Sequence, residues 1–456
     1  MARVAAVTLA SAVAATTVLL GAGTAAADET PQTQGGATAT IGGLKTYGQA
    51  VIHEDGGDQQ VSAGLFEMSV DGGGTLQTYC VDIHNPTQRD ARYQETPWSG
   101  TSLGVNKDAG RIRWILQNSY PQVNDLATLA QRAGVRGLSE QDAAAGTQVA
   151  IWRYSDGAKV DAVDPQAEKL ADYLEKSARD SAEPQASLTL DPPAVSGRPG
   201  DLLGPVIVHT NARGVTVSPS AGAGAGGVRI IDRTGKVITS AKDGSQLFFD
   251  VPEGAADGSA QLTVQASTTV PVGRAFASES RSQTQILAGS SESTVSATAG
   301  ATWAGKGALA VSARKNCAKS GVDITAANKG DQPFTFELMG AEHTIPAGTS
   351  RTVTVPLQED QPYDFTITGP NGFSHRFTGV LDCKTQGTVT TESTQTLSEP
   401  SPATIGGGSS ISSGTDLAAT GSSAITPMIA GVAIGLVVIG GAVLVVLRRK
   451  EAQAGE

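Results

Sequence analysis

Aromatic and charged side chains are both scarce in this chain of 456 residues, at 4% and 17%. Soluble globular domains usually carry about 25% charged residues. Bases are the rarer sign, with 33 Lys and Arg against 44 Asp and Glu, so the formal net charge is −11. Such a chain has no basic field to attract phosphate groups, and we therefore expect no nucleic-acid partner.

Histidine and cysteine are scarce too, at five and three residues. They form no cluster with the spacing of metal ligands, and the sequence contains no phosphate-binding loop or cofactor fingerprint. We therefore predict no metal site, no cofactor and no catalytic residues, and we do not expect an enzyme. Glycine is abundant instead, at 55 residues. This composition favours short strands, turns and stalks, and predicts a mainly β, multidomain protein with room for about three domains.

The first 27 residues have the pattern of a signal peptide. Arg3 is followed by an apolar run from Val4 to Leu20, and then by small residues that end in Ala27. A short basic region, an apolar stretch and a small-residue cleavage site are the three parts of a secretory signal. We predict a signal peptide over residues 1–27 and a secreted chain that starts at Asp28.

The C-terminal end carries a second targeting pattern. An apolar run of 23 residues, 425–447, precedes two arginines, a lysine and a short tail, 448–456. A helix of this length crosses a hydrocarbon core of about 30 Å, and bases after it keep the tail in the cytoplasm. We predict a transmembrane helix over residues 425–447, with the body of the protein outside the cell.

A pentapeptide before this apolar run resembles the LAxTG sorting signal of actinobacterial cell-wall proteins; it reads Leu417-Ala418-Ala419-Thr420-Gly421. The resemblance implies that a sortase cuts after the threonine and joins it to peptidoglycan. The protein would then be cell wall anchored, after a stage in the cell membrane. A permanent membrane anchor is the alternative.

Three segments precede the sorting signal. Residues 385–416 have almost no large apolar side chains and cannot bury a core, which predicts a Ser/Thr/Gly-rich stalk. Residues 303–384 alternate apolar and polar positions between turn signals, and Cys317 and Cys383 lie near the two ends, so we predict an immunoglobulin-like domain with a disulfide. Residues 186–302 also show strand and turn patterns without site chemistry, which predicts a β-sandwich spacer domain.

The N-terminal body, residues 38–185, has a different pattern. Alternating apolar residues predict strands first, and helical periodicity then appears around residues 107–118, 126–133, 139–154 and 165–178. We therefore predict an α+β domain here, followed by the two β-sandwich domains.

One cysteine of this body, Cys80, has no partner if the other two pair. An unpaired cysteine in an exported protein indicates an intermolecular disulfide, a reactive thiol or another covalent partner. The period of two along its strand places three side chains toward the core, those of Tyr79, Val81 and Ile83. The opposite face would carry Cys80, Asp82 and His84.

A glutamine occupies the apolar face of a predicted helix in the same body. Gln148 shares a helical stripe with Ala144, Ile151 and Trp152. A buried primary amide costs about 1–3 kcal/mol unless its hydrogen bonds are satisfied. A bond to nearby backbone is the commonest solution for such a residue.

Two short motifs resemble those of thioester domains in Gram-positive surface adhesins. Thr147-Gln148-Val149-Ala150 matches the TQxA motif, and Tyr79-Cys80-Val81 matches the aromatic-Cys-hydrophobic motif. The resemblance implies that the Cys80 sulfur condenses with the side-chain carbonyl of Gln148, loses ammonia and leaves an internal thioester. Tyr79, Thr147 and Ala150 would flank this crosslink. The resemblance also implies a covalent partner, an amine-bearing surface protein whose lysine attacks the thioester.

Two rival interpretations remain open from the sequence. An exported cysteine hydrolase could use Cys80 with His84 or His53 as its base. A structural cell-surface protein could instead pair Cys80 between chains. Asp82 and His84 could move protons if they lie on the Cys80 face, although His84 also suits a surface position before a turn.

Overall fold

The computed structural model describes residues 35–219, 227–278, 280–305, 308–369 and 373–384. Strands make up 47% of this structure and helices 17%, which confirms the mainly β class. The predicted signal peptide, stalk, sorting motif and apolar run lie outside the described residues, as does the tail. Within the described ranges, no helix is long and apolar enough to cross a membrane.

The N-terminal body begins with long antiparallel strands. The longest two are joined at Asp55-Gly56 and pair along most of their length. The strands are β1 (Thr38–Glu54), β2 (Gly57–Val70), β3 (Thr75–Cys80), β4 (Arg92–Thr96) and β5 (Val160–Ala162). Short 3-10 turns follow β4 at Trp98–Gly100 and Ser102–Gly104.

Four helices cover this body, close to the ranges that the periodicity predicts; they are α1 (Ala109–Asn118), α2 (Leu126–Ala133), α3 (Glu140–Ser155) and α4 (Pro165–Ser177). A capping box begins α3, because Ser139 and Asp142 satisfy each other's backbone N–H groups. Asp164 caps α4, whose first residue is a proline, a position where the missing N–H costs nothing. Helix α3 packs against β1 and β2 and is buried along most of its length.

The middle region forms two further sheets. Their strands are β6 (Leu188–Asp191), β7 (Ala194–Gly197), β8 (Leu202–Thr210), β9 (Val215–Pro219), β10 (Arg229–Ile231), β11 (Ser240–Ala241), β12 (Gln246–Asp250), β13 (Gly258–Thr269) and β16 (Glu292–Trp303). The strand orders of the two sheets are β10-β12-β8-β6 and β11-β9-β13-β16-β7.

Two strands from the middle region belong to the N-terminal sheet. Strands β14 (Ala275–Ser278) and β15 (Gln285–Ser290) insert between β3 and β4, and the sheet order is β2-β3-β15-β14-β4-β1-β5. Since β1 also pairs with β2, these strands close into a ring. The structure thus differs from the predicted division into residues 38–185 and 186–302, because β14 and β15 complete a sheet whose first strand, β1, begins at Thr38.

The same two regions share one hydrophobic core. Met68 and Tyr93 of the ring lie in a continuous buried cluster with Leu247, Phe249 and Val264 of the middle sheets. A second cluster joins the helices to β2, β3 and β15. Burial of apolar surface therefore links the N-terminal body and the middle region, which explains why a boundary drawn from composition alone does not separate them.

The last described region contains two sheets over one core. The strands are β17 (Leu309–Asn316), β18 (Gly321–Asn328), β19 (Phe334–Leu338), β20 (Ala341–Ile345), β21 (Ser350–Pro356), β22 (Pro362–Thr368) and β23 (Ser374–Val380). The strand orders of the two sheets are β17-β18-β21 and β20-β19-β22-β23. Cys317 and Cys383 form the predicted disulfide, with Cα atoms 5.1 Å apart.

Candidate functional site

The unpaired cysteine lies at the end of a central strand. Strand β3 ends at Cys80, which is 2% exposed and free of any disulfide. The predicted alternation therefore stops there, and Asp82 and His84 do not continue a strand face. Tyr79 and Cys80 are both buried, because this end of β3 lies between β15 and helix α3.

Gln148 lies in the middle of α3 and is completely buried, as the helical stripe predicts. Its side chain meets the backbone of Cys80 twice. The amide Nε2 donates to the carbonyl oxygen of Cys80 at 2.9 Å, and the N–H of Cys80 donates to Oε1 at 3.0 Å. The two residues that the motifs single out, 68 positions apart, are thus in direct contact.

The sheet leaves a gap that the Gln148 amide fills. Pairing between β2 and β3 ends where Phe66 lies opposite Thr78, two residues before Cys80. The N–H and carbonyl of Cys80 on that side have no strand partner, and Gln148 supplies both missing hydrogen bonds. A buried amide is stable here because both of its polar atoms are paired. The sequence left open a hydrogen bond from Gln148 to nearby backbone. The structure shows such bonds, and the backbone that Gln148 contacts is that of Cys80 itself.

The Cys80 sulfur has two polar neighbours. Nε2 of Gln285 donates to it at 3.4 Å, and the Thr87 hydroxyl lies 3.9 Å away. Burial raises the pKa of the Cys80 thiol to about 12, while the hydrogen bonds from Gln285 and Thr87 lower it. Burial dominates because it removes the thiolate from water, so the sulfur depends on these two donors to carry negative charge.

Gln285 is a site residue that the sequence analysis missed. It lies on β15 directly opposite Cys80, and its Oε1 accepts a hydrogen bond from Thr78 at 2.9 Å. A glutamine before the apolar pair Ile286-Leu287 is the only local signal. The contact follows from the pairing of β15 with β3, which no pattern within either strand reveals.

The motif residues on either side of Cys80 and Gln148 are buried around the site. The Tyr79 hydroxyl donates to the carbonyl of Tyr120 at 2.9 Å. Thr147 donates to the carbonyl of Ala143 at 2.6 Å and also contacts the Ser119 hydroxyl. Ala150 is completely buried. These contacts fix α3 and β3 around Gln148 and Cys80.

Neither histidine proposed as a base contacts the sulfur. His84 faces Glu54, with 3.5 Å between Nδ1 and the carboxylate. The ring of His53 lies between Asp58 at 2.8 Å and Asp161 at 3.2 Å, and both carboxylates raise its pKa. Among the described residues, the sulfur therefore has no imidazole to deprotonate it. Its burial also disfavours a disulfide between two chains.

An aspartate ties the segment after Cys80 to the end of α3. Asp156 accepts a hydrogen bond from the Ile83 N–H at 3.2 Å and another from the Ser155 hydroxyl at 2.6 Å. Burial, and then the nearby charge of Asp82, raise the pKa of Asp156 from 3.8 to about 7.

This raised pKa predicts a pH-dependent stability. The folded chain holds a proton on Asp156 that the unfolded chain has lost, so the stabilisation is complete below about pH 4 and is lost as the pH rises through 7. The melting temperature of the wild type should therefore be lower at about pH 8 than at about pH 5. Asp156→Asn should reduce the matching difference in the free energy of unfolding by on the order of 1 kcal/mol. Asp382, whose pKa burial also raises to about 7, should retain part of it. An unchanged pH dependence in Asp156→Asn would contradict the assignment.

Comparison with protein-family models identifies the part of the chain that contains this site. Residues 77–180, which contain both Cys80 and Gln148, match the family model described as thioester domain. Residues 307–380 match the family model described as bacterial phospholipase C, C-terminal domain. The first match supports a thioester domain in the N-terminal body.

Two solved structures are similar to longer stretches of the chain. The Bacillus anthracis TIE protein is 13% identical, with 77% of this chain and 81% of that chain covered, at a TM-score of 0.27. The thioester domain of the Enterococcus faecium TIE86 protein is 15% identical, with 60% of this chain and 98% of that chain covered, at a TM-score of 0.28. Comparison with curated proteins gives no match.

Proposed function

We propose that this chain is a surface adhesin that forms a covalent bond with an amine on another surface through an internal thioester of Cys80 and Gln148. The observation that carries this proposal is the pair of hydrogen bonds, at 2.9 and 3.0 Å, between the Gln148 amide and the Cys80 backbone. The thioester-domain match over residues 77–180 supports the same assignment.

Formation of the thioester requires only these two side chains. The Cys80 sulfur attacks the side-chain carbonyl carbon of Gln148 and the C–N bond breaks. The NH2 group takes up the one proton that the Cys80 thiol loses, and it leaves as ammonia. Fixed proximity of this kind can supply about 7–11 kcal/mol of the barrier. The fold provides this proximity because it holds the Gln148 amide against the backbone of Cys80, whose sulfur is the nucleophile.

The product is an acyl electrophile that reacts once. A lysine amine of the partner attacks the acyl carbon, the C–S bond breaks, and an amide bond remains between Gln148 and the partner. Cys80 is released as a thiol. Because the acyl group is consumed, the chain is a single-use reagent and not an enzyme.

A bond to another surface requires that the reactive body be displayed outside the cell. We propose that the signal peptide exports the chain and that a sortase joins Thr420 to peptidoglycan after passage through the membrane. The stalk over residues 385–416 would then hold the reactive body away from the wall. The net charge of −11 favours partners with exposed lysines, although salt screens this attraction beyond about 8 Å.

A small primary amine tests the proposed chemistry. After incubation with methylamine, peptide mapping of the wild type should show the amine on Gln148 and a newly titratable thiol on Cys80. Cys80→Ala should show no adduct. The double variant Cys317→Ser/Cys383→Ser is the matched control, since it removes the other two cysteines and should keep the adduct. Equal labelling of Gln148 in wild type and Cys80→Ala would rule out the thioester as the reactive species.

A further inference from the structure

We infer that Thr87 is a catalytic residue of the bond-forming reaction, whose hydroxyl donates to the Cys80 sulfur as the thioester opens. This inference rests on the proposed function. It assigns a role to a residue outside both motifs, in the loop between β3 and β4, where Thr87 lies partly exposed beside the buried sulfur.

The hydrogen bonds of Thr87 fix the direction of its proton. Its Oγ1 accepts from Nε2 of Gln283 at 2.6 Å and from Nε2 of Gln285 at 3.4 Å. A hydroxyl has two acceptor lone pairs and one donor. Both lone pairs accept from amide N–H groups, which leaves the hydroxyl as a donor. Among the described residues, the Cys80 sulfur at 3.9 Å lies within reach of that donor.

The loop around Thr87 is held in this position by its neighbours. The N–H of Gln88 donates to the Ser282 hydroxyl at 2.8 Å. The Tyr93 hydroxyl lies 2.6 Å from the same oxygen and donates to the carbonyl of Gln283 at 2.9 Å. The dipole of the Thr87 hydroxyl is therefore oriented before any reaction begins. A dipole that is fixed in advance stabilises developing charge most effectively.

The reaction needs such a donor at the sulfur. When the amine attacks, the electron pair of the C–S bond moves to sulfur, and one proton of the amine must end on that sulfur to give amide and thiol. Burial disfavours a free thiolate at this place. The Thr87 hydroxyl can give its proton to the departing sulfur. The electron pair that this frees on the oxygen then takes up the amine's proton, so the composition of Thr87 is unchanged.

Gln285 and Thr87 have different capacities. Gln285 also donates to the sulfur, at 3.4 Å, but an amide N–H does not release its proton. Thr87 is closer to solvent and carries a hydroxyl that exchanges protons. Of the described residues in contact with the sulfur, Thr87 is thus the one suited to relay a proton.

Two substitutions separate the hydroxyl from the shape of the side chain. Thr87→Val removes the hydroxyl and keeps the branched shape, whereas Thr87→Ser keeps the hydroxyl and removes the methyl group. Intact mass first shows whether each full-length protein carries the thioester, and melting temperature shows that each is folded. The opening rate with methylamine is then measured by mass and by thiol release in denaturant.

We expect Thr87→Val to open on the order of 10–100-fold more slowly than wild type, and Thr87→Ser to remain close to wild type. A folded Thr87→Val that never acquires the thioester, beside a Thr87→Ser that does, supports the same role, because the sulfur also loses a proton when the bond forms. A wild-type rate in Thr87→Val, or equal slowing in both variants, would overturn the inference and leave the proposed function intact. A wild type without the ammonia loss would overturn both.

Discussion

Cys80→Ala should abolish covalent attachment to amine-bearing surfaces, while the protein remains folded. The variant removes the sulfur but leaves its backbone N–H and carbonyl, which are the groups that Gln148 binds. Both hydrogen bonds of the buried amide therefore survive. Complexes that resist boiling in denaturant should form with the wild type on a lysine-rich surface and be absent for Cys80→Ala. Attachment that persists in the folded variant would contradict the proposed chemistry.

Gln148→Ala should also abolish attachment, but at a cost in stability. Without the amide, the N–H and carbonyl of Cys80 lose their buried partners, and leaving such groups unpaired costs about 1–3 kcal/mol. The melting temperature of Gln148→Ala should accordingly fall below that of Cys80→Ala. If the two variants melted together, the Gln148 hydrogen bonds would not have the role that the geometry gives them.

The largest loss of stability should come from a buried ion pair. Glu95 is fully buried and accepts from the N–H groups of Ala37 at 3.1 Å and Ser187 at 2.9 Å, from the Ser187 hydroxyl, and from Arg274 Nε at 2.9 Å. Arg274 also donates to Glu183 at 2.8 Å. Since Arg274 directly precedes β14, this pair anchors the strand that leads into β15 and Gln285.

Glu95→Ala should lower the free energy of unfolding by about 3–5 kcal/mol. Arg274 loses its buried partner and keeps only the partly exposed Glu183, and the N–H groups of Ala37 and Ser187 lose their acceptor. Asp250→Ala is the matched control. It removes the ion pair with Arg229, whose side chain is 61% exposed, and should cost no more than about 1 kcal/mol. Urea unfolding compares the two variants. Equal losses of unfolding free energy in Glu95→Ala and Asp250→Ala would show that the buried ion pair does not stabilise the N-terminal sheet more than an exposed pair stabilises its own.

Local patterns predicted much of the helical part of this fold. The capping box at Ser139 and the Asp164-Pro165 start set the beginnings of α3 and α4, and the stripe on α3 predicted the burial of Gln148. Such signals can be read from sequence because they depend on neighbours within a few residues. The two motifs likewise led to Cys80 and Gln148 before any contact between them was visible.

Long-range pairing set the limit of the sequence analysis. Strands β14 and β15 resemble any other short strands of the middle region, yet they complete the N-terminal sheet and bring Gln285 to Cys80 across 205 positions. The predicted strand face of Asp82 and His84 also differs, because β3 ends at Cys80. The sheet that β14 and β15 join and the residue where β3 ends both depend on partners outside the strand. Periodicity within a strand contains no information about those partners.

Intact mass of the secreted wild-type chain under denaturing conditions tests the central claim most directly. The account predicts a mass below that of the sequence by one ammonia, in addition to the hydrogens lost to the Cys317–Cys383 disulfide. Cys80→Ala and Gln148→Ala should each restore the ammonia. A wild-type mass without the ammonia loss would mean a free Cys80 thiol and an intact Gln148 amide. That mass, together with alkylation of Cys80, would contradict the thioester.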